Sequence, residues 1–140
     1  MQNEPIIIHT DGGSRGNPGP AACAFVAEEN GVEIFKSSKF LGNTTNNVAE
    51  YSGVILALEW LVNKSPSVFN RSSVTFFLDS ELVVKQINAI YKVKDQNLKN
   101  LFLEALSLME KFGGSINFKH VPREQNKIAD LLVNQELDRN

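Results

Sequence analysis

The sequence predicts an α/β domain built on a mixed sheet, and three observations carry that reading. Ile6–Asp11, Ala21–Glu28 and Val32–Leu41 are strand-like runs separated only by turn signals, so they should form antiparallel neighbours. After them the pattern changes to helix–strand–helix–strand–helix. The two later strands are reached through helices, which favours parallel addition to the same sheet. No repeat, low-complexity tract or Pro/Ser linker divides the chain, so residues 1–140 read as one domain.

Each element has its own signal. Ile6–Asp11 is short and rich in β-branched residues. It runs into Gly12-Gly13-Ser14-Arg15-Gly16-Asn17-Pro18-Gly19-Pro20, whose glycines and prolines predict turn or loop throughout. Glu29-Asn30-Gly31 predicts the hairpin turn between the second and third strands. From Asn47 to Asn63, Tyr51, Val54, Ile55, Leu58, Leu61 and Val62 recur at helical spacing and define one buried face. Val74-Thr75-Phe76-Phe77-Leu78, within Ser72–Leu78, suits a strand covered on both faces. Helices follow over Leu82–Ile90 and Gln96–Phe112, then a strand over Ser115–His120. A last helix is expected from near Arg123 toward Leu137.

Composition narrows the class. With 42 % hydrophobic and 21 % charged residues, the chain is a globular mixture rather than a disordered or fibrous one. No apolar stretch approaches the roughly 20 residues of a membrane-spanning helix. The first residues lack a basic flank, so no signal peptide is expected. A single cysteine, Cys23, excludes an internal disulfide and fits a reducing cytoplasm, where the Asn-x-Ser/Thr triplets at Asn43 and Asn70 are incidental. The net charge of −2 removes bulk attraction as an argument for nucleic-acid binding. Its distribution is uneven. Lys85, Lys92, Lys94 and Lys99 stand against one acid, Asp95, a patch suited either to phosphates or to plain solvation.

Four acids break local rules, and such breaks tend to mark function. Asp11 ends a strand at the glycine-rich segment. Asp79 follows the most apolar strand at its carboxyl end, where open α/β sheets place their sites. Glu50 stands in the first turn of a long helix, and Asp130 inside Ile128-Ala129-Asp130-Leu131-Leu132. Singly, each has a structural explanation. Asp11 would start a turn, Glu50 would complete a capping box with Asn47, Asp79 would cap a helix beside Ser80, and Asp130 would face outward. Together they would repel one another, and an arrangement of that kind persists when cations neutralise it. Oxygen ligands without cysteine or paired histidine favour Mg²⁺ or Mn²⁺ over zinc. Two such ions are the recurring device for phosphodiester cleavage, one acidifying the attacking water and one stabilising the departing oxygen.

The chain resembles type 1 ribonucleases H over nearly its whole length. Four ordered blocks carry the resemblance: Thr10–Pro20, Thr45–Tyr51, Asp79–Val83 and His120–Asp130, each containing one of the four acids. The resemblance implies a ribonuclease H-like fold with three antiparallel and two parallel strands flanked by helices. It implies endonucleolytic cutting of the RNA strand of RNA–DNA hybrids, leaving 5′-phosphate and 3′-hydroxyl ends, with two Mg²⁺ ions and Mn²⁺ as a substitute. Asp11, Glu50, Asp79 and Asp130 match the family's metal-binding carboxylates, and His120 its auxiliary loop histidine. Ser14, Gly16, Asn17, Asn46 and Glu81 match contacts that read the RNA 2′-hydroxyls, with Glu50 reading one as well as a metal; Thr45 and Asn47 match contacts along the DNA strand, and Gly12 and Ser80 further substrate contacts. His9 has no such match and is read as an ordinary strand side chain.

The sequence also departs from the family. Asn43 stands where many members carry an arginine in a DNA-phosphate pocket. The segment 91–96 is short and mildly basic where some carry a long basic insertion, so binding should be weaker and salt-sensitive. Glu81 replaces a glutamine found in several relatives, and the short form leaves double-stranded RNA open as a further substrate. A catalytically silent hybrid-binding module and a DNA-acting nuclease–integrase relative are the competing readings. The complete acid set opposes the first, and a loop suited to reading 2′-hydroxyls opposes the second. A monomer is expected, for want of an exposed apolar stripe.

Overall fold

The computed structural model describes residues 5–64 and 73–140; the Asn70 triplet and the expected strand start at Ser72 lie outside them. Five strands, β1 (Ile6–Ser14), β2 (Gly19–Glu29), β3 (Val32–Thr44), β4 (Ser73–Leu78) and β5 (Ser115–His120), form one sheet in the order β3-β2-β1-β4-β5. The β1–β2 and β2–β3 pairs are antiparallel, and the β1–β4 and β4–β5 pairs are parallel. Among the described residues four α-helices flank the sheet: α1 (Asn46–Asn63), α2 (Glu81–Ile87), α3 (Gln96–Phe112) and α4 (Lys127–Asp138). The expected mixed α/β architecture is the observed one. Among the described residues no helix is long and apolar enough to cross a membrane.

The main core lies between one face of the sheet and helices α1 and α3. Ile6, Ile8, Phe25, Phe76 and Leu78 meet Tyr51, Val54, Leu58 and Leu61 there. On the opposite face Val133 and Leu137 of α4 pack on Ala22 and Ala24 of β2, whose short side chains let the helix come close.

Several boundaries differ from expectation for local reasons. The glycine-rich segment is not loop throughout. Gly12, Gly13 and Ser14 continue β1 by pairing with Cys23, Ala22 and Ala21, and the connection is confined to residues 15–18. Gly12 serves close approach rather than turning, because a Cβ there would lie 2.1 Å from the Ala49 carbonyl oxygen of α1. Gly53 meets β1 from the other side, where a Cβ would lie 2.8 Å from Asp11 O. The β2–β3 turn is as expected, with both central residues left-handed (Asn30 φ 53°, Gly31 φ 77°).

Strand β4 is fully buried on one face only, with Thr75 and Phe77 half-buried on the other. Helix α2 stops at Ile87 instead of Ile90, since Asn88 donates its side-chain N–H to Phe118 O at 3.1 Å and Ala89 turns left-handed (φ 64°). A single 3₁₀ turn, Arg123–Gln125, precedes α4, which therefore starts at Lys127 rather than at Arg123. The expected lack of exposed apolar surface does not hold either. Edge strand β3 leaves Val32, Ile34, Phe35 and Phe40 partly exposed, because the helices on either face reach β3 less than they reach β1 and β2.

Candidate active site

The crossing of α1 over β1 creates the site. With glycine at both contact points, the first turn of α1 sits against the end of β1, and Glu50 lies beside Asp11. Strand β4 runs parallel to β1 and ends opposite Thr10, the residue before Asp11, which delivers Asp79 to the same spot. One carboxylate oxygen from each of Asp11, Glu50 and Asp79 lies within 4.8 Å of the others. They line a cleft of about 400 Å³ together with Gly12, Ser14, Asn46 and Asp130.

The structural explanations for Glu50 and Asp79 are not what the helices use. Thr45, not Asn47, caps α1 by accepting from Val48 N at 3.3 Å, and Ser80 alone caps α2 by accepting from Val83 N at 3.3 Å. Glu50 is instead turned inward, where its Oε1 accepts from Gly12 N at 3.3 Å. Its Oε2 and Asp79 Oδ2 are buried with no hydrogen-bond partner. Arg123 lies near Asp79 Oδ2, at 3.9 Å from Nε, but is largely solvated.

Two of these close, buried carboxyls, Asp11 and Glu50, resist ionisation. Burial first, and then the Asp79 charge, push the Asp11 carboxyl up to about 7. Burial also raises Glu50 well above the carboxylate range, with the Asp11 and Asp79 charges adding to it. Asp130, half-buried on α4, lines the cleft but stands outside the close trio. Asn134, one turn further on, donates to Asp130 O at 3.1 Å and Oδ2 at 3.5 Å.

The remaining residues singled out in the sequence divide into two groups. Ser14, Asn17 and Asn46 form a latch. Asn46 Oδ1 accepts from Ser14 N (2.9 Å) and Ser14 Oγ (3.0 Å), while Asn17 Oδ1 accepts from Asn46 N (2.9 Å). Gly12, Asn47 and Ser80 also line the cleft. Gly16, Thr45, Glu81 and His120 do not line it. Gly16 forms the bend beyond β1 (φ 97°), and Glu81 pairs with Lys85 at 3.3 Å on the exposed side of α2. His120 is the exposed last residue of β5 rather than a loop residue, level with Leu78 of β4.

Sequence reasoning missed Arg15, Arg123 and Asn134 in the cleft wall, and Asn126 behind it. Arg15 reaches the far end of α4, pairing with Asp138 at 2.7 Å. A signal for Asn126 was present, since a polar residue one helical turn before an acid is placed to start that acid's helix. His9 is the strand residue expected, and its ring faces Phe77 at 5.2 Å.

This geometry has known counterparts. A family model described as reverse transcriptase-like matches residues 9–136. The bifunctional protein Rv2228c of Mycobacterium tuberculosis is 39 % identical over 136 residues, covering 95 % of this chain and 35 % of that protein, so the chain spans about a third of this relative. Ribonuclease H of Polaromonas naphthalenivorans is 32 % identical over 153 residues, covering 99 % of this chain and 90 % of that one. The crystal structure of LC11-RNase H1 in complex with an RNA/DNA hybrid superposes with a TM-score of 0.91 at 42 % identity, covering 96 % of this chain and 97 % of that chain. A carboxylate trio gathered where α1 crosses β1, on a sheet of this order and with full-length likeness of this degree, leads to one conclusion: the chain belongs to the type 1 ribonuclease H family.

Proposed function

We propose that this protein is a metal-dependent endoribonuclease that hydrolyses the RNA strand of RNA–DNA hybrids, with residues 1–140 acting as a single catalytic domain. The observation that carries this is the buried trio Asp11, Glu50 and Asp79, two of whose oxygens lack any hydrogen-bond partner. Leaving such acceptors unpaired in a low-dielectric site is costly, and a hard divalent cation satisfies them. The donor set is all oxygen, which fits Mg²⁺ or Mn²⁺. Asp11, Glu50, Asp79 and Asp130 would hold two such ions, which when bound acidify water and stabilise charge on phosphate oxygens.

The chain's own residues supply the rest. Asp11 and Glu50 would be ionised with cations bound and would hold them at the end of β1, where the reacting phosphate would be met. Asn46 has its carboxamide oxygen committed to Ser14, so its N–H₂ group is left to donate to a ribose hydroxyl. Asn17 fixes the Asn46 backbone, and Gly12 and Ser14 bring main-chain groups to the groove. Gly16, Thr45, Asn47, Ser80 and Glu81 are assigned to the flanking contacts, sequence-independent because they address the sugar–phosphate backbone. His120, at the solvent edge beside the end of β4, is assigned to proton movement at the departing 3′ oxygen. Products carry 5′-phosphate and 3′-hydroxyl ends.

We place the protein in the cytoplasm, whose reducing conditions suit a chain with one cysteine, and as a monomer, since the exposed β3 edge carries Lys36 and Lys39 and two bulges, features that oppose edge-to-edge pairing. The deciding experiment uses end-labelled RNA–DNA, RNA–RNA and DNA–DNA duplexes with Mg²⁺ or EDTA, beside Asp79→Asn as a control for contaminating nuclease. Magnesium-dependent RNA cutting of the hybrid is the expected result, and cutting of RNA–RNA would widen the substrate range. Intact hybrid with measurable binding would replace the enzyme by a binding module.

A further inference from the structure

Asn126 is a polar residue buried to 1 % exposure, and its carboxamide is used on both sides. Its Nδ2 donates to Thr10 O at 2.8 Å, and its Oδ1 faces His9 Nδ1 at 3.1 Å. Because Nδ2 must donate to a carbonyl, Oδ1 is the acceptor and the His9 Nδ1 carries the proton in this pair. The residue's main chain is equally committed. Its carbonyl accepts from Asp130 N at 3.1 Å, opening α4, and its N–H bonds Arg123 O at 2.9 Å, closing the 3₁₀ turn.

These bonds fall at one place in the fold. Thr10 is the last residue of β1 in register with β4, directly before Asp11. There β4 leaves the sheet to present Asp79, and the Asn126 carboxamide meets the β1 edge in its stead. One side chain therefore joins the peptide preceding Asp11 to the first turn that bears Asp130.

We propose that Asn126 is a positioning residue that sets Asp130 against Asp11, with His9 fixing the orientation of its carboxamide. This rests on the ribonuclease reading for its kinetic test, though not for its metal test. Asn126 touches neither substrate nor cation in this role, and acts only through where Asp130 stands.

A double-mutant cycle separates that role from general stabilisation. Wild type, Asn126→Ala, Asp130→Ala and the double variant are assayed for hybrid cleavage, for melting temperature, and for Mn²⁺ binding by calorimetry without substrate. Asn126→Ala should lower kcat at least fivefold and within twofold of the Asp130→Ala loss, with KM within twofold of wild type. It should raise the half-saturating Mn²⁺ concentration, and the double variant should be no worse than Asp130→Ala alone. Multiplying losses, or a lower melting temperature with kcat within twofold of wild type, would overturn the proposal. If Asn126→Ala does not fold, Asn126→Ser, whose hydroxyl keeps the vacated space polar, takes its place under the same criteria. Failure of the wild type to cut hybrid would instead sink the ribonuclease reading. The Mn²⁺ titration then decides alone: a raised half-saturation in the Asn126 variant upholds the positioning role, and an unchanged one ends it.

Discussion

Asp11 carries the clearest energetic signature in the molecule. Its carboxyl, near 4 when exposed, is held at about 7 by burial and the neighbouring Asp79 charge, with the metal absent. Between those values the folded protein keeps a proton that the unfolded chain has released. Metal-free stability therefore falls as pH rises from about 4 to about 7, and the Glu50 shift acts in the same direction. Thermal melts in EDTA at stepped pH should show this slope, and saturating Mg²⁺ should flatten it; a metal-free melting temperature that climbs over that range would contradict the charge crowding. Removing one charge relieves the same strain. Asp79→Asn should leave metal-free stability unchanged or raise it by about 0.5–2 kcal/mol while abolishing hybrid cleavage. Gly12→Ala drives a methyl into the Ala49 carbonyl and should cost at least about 2 kcal/mol in a denaturant titration, since backbone on both sides must move.

At the scale of elements, the latch between the β1–β2 connection and α1 behaves as a unit. Asn17→Ala removes one exposed hydrogen bond, worth about 1 kcal/mol, and frees the Asn46 backbone. Melting should drop by only a few degrees while cleavage falls tenfold or more; equal losses in both would make Asn17 a loop brace and nothing else. The elements themselves were legible to the extent that side-chain periodicity reported burial. Helix α1 and strand β5 came out with nearly the observed limits, because Val54, Leu58, Leu61 and Phe118 meet a core. Gly12 misled, because a glycine required for close packing and one required for turning look alike in sequence. Ile87–Ile90 misled for a different reason. The end of α2 is decided by Asn88 reaching Phe118 O on β5, a tertiary contact that local pattern does not encode. Asp11, Glu50 and Asp79 were readable as a set from their places at strand ends and a helix start. The inward turn of Glu50 was not, since a capping box with Asn47 was equally written there. The place of Asn126 at a helix start was readable, but the task of its carboxamide was not, because its partners, His9 and Thr10, lie at the other end of the chain.

Across the whole molecule, charge is arranged rather than abundant. Lys85, Lys92, Lys94 and Lys99 and the absence of arginine at Asn43 predict hybrid binding that is moderate and weakens with added salt; KM measured from low to physiological ionic strength should rise steeply, and reversing Lys92 and Lys99 to glutamate should raise it further with kcat retained. A flat salt response would mean that the basic patch does not meet phosphate. The sheet order has one more effect, visible when the chain is considered in the order of its synthesis. Strands β1, β2 and β3 and helix α1 come from the first half of the chain and can pair as soon as they emerge, while β4 inserts beside β1 only afterward. The nascent meander thus assembles around a single carboxylate pair, Asp11 with Glu50. Repulsion grows when Asp79 docks and again when α4 brings in Asp130, so the electrostatic burden falls on the later stages of folding, where a divalent cation from solution can lift it.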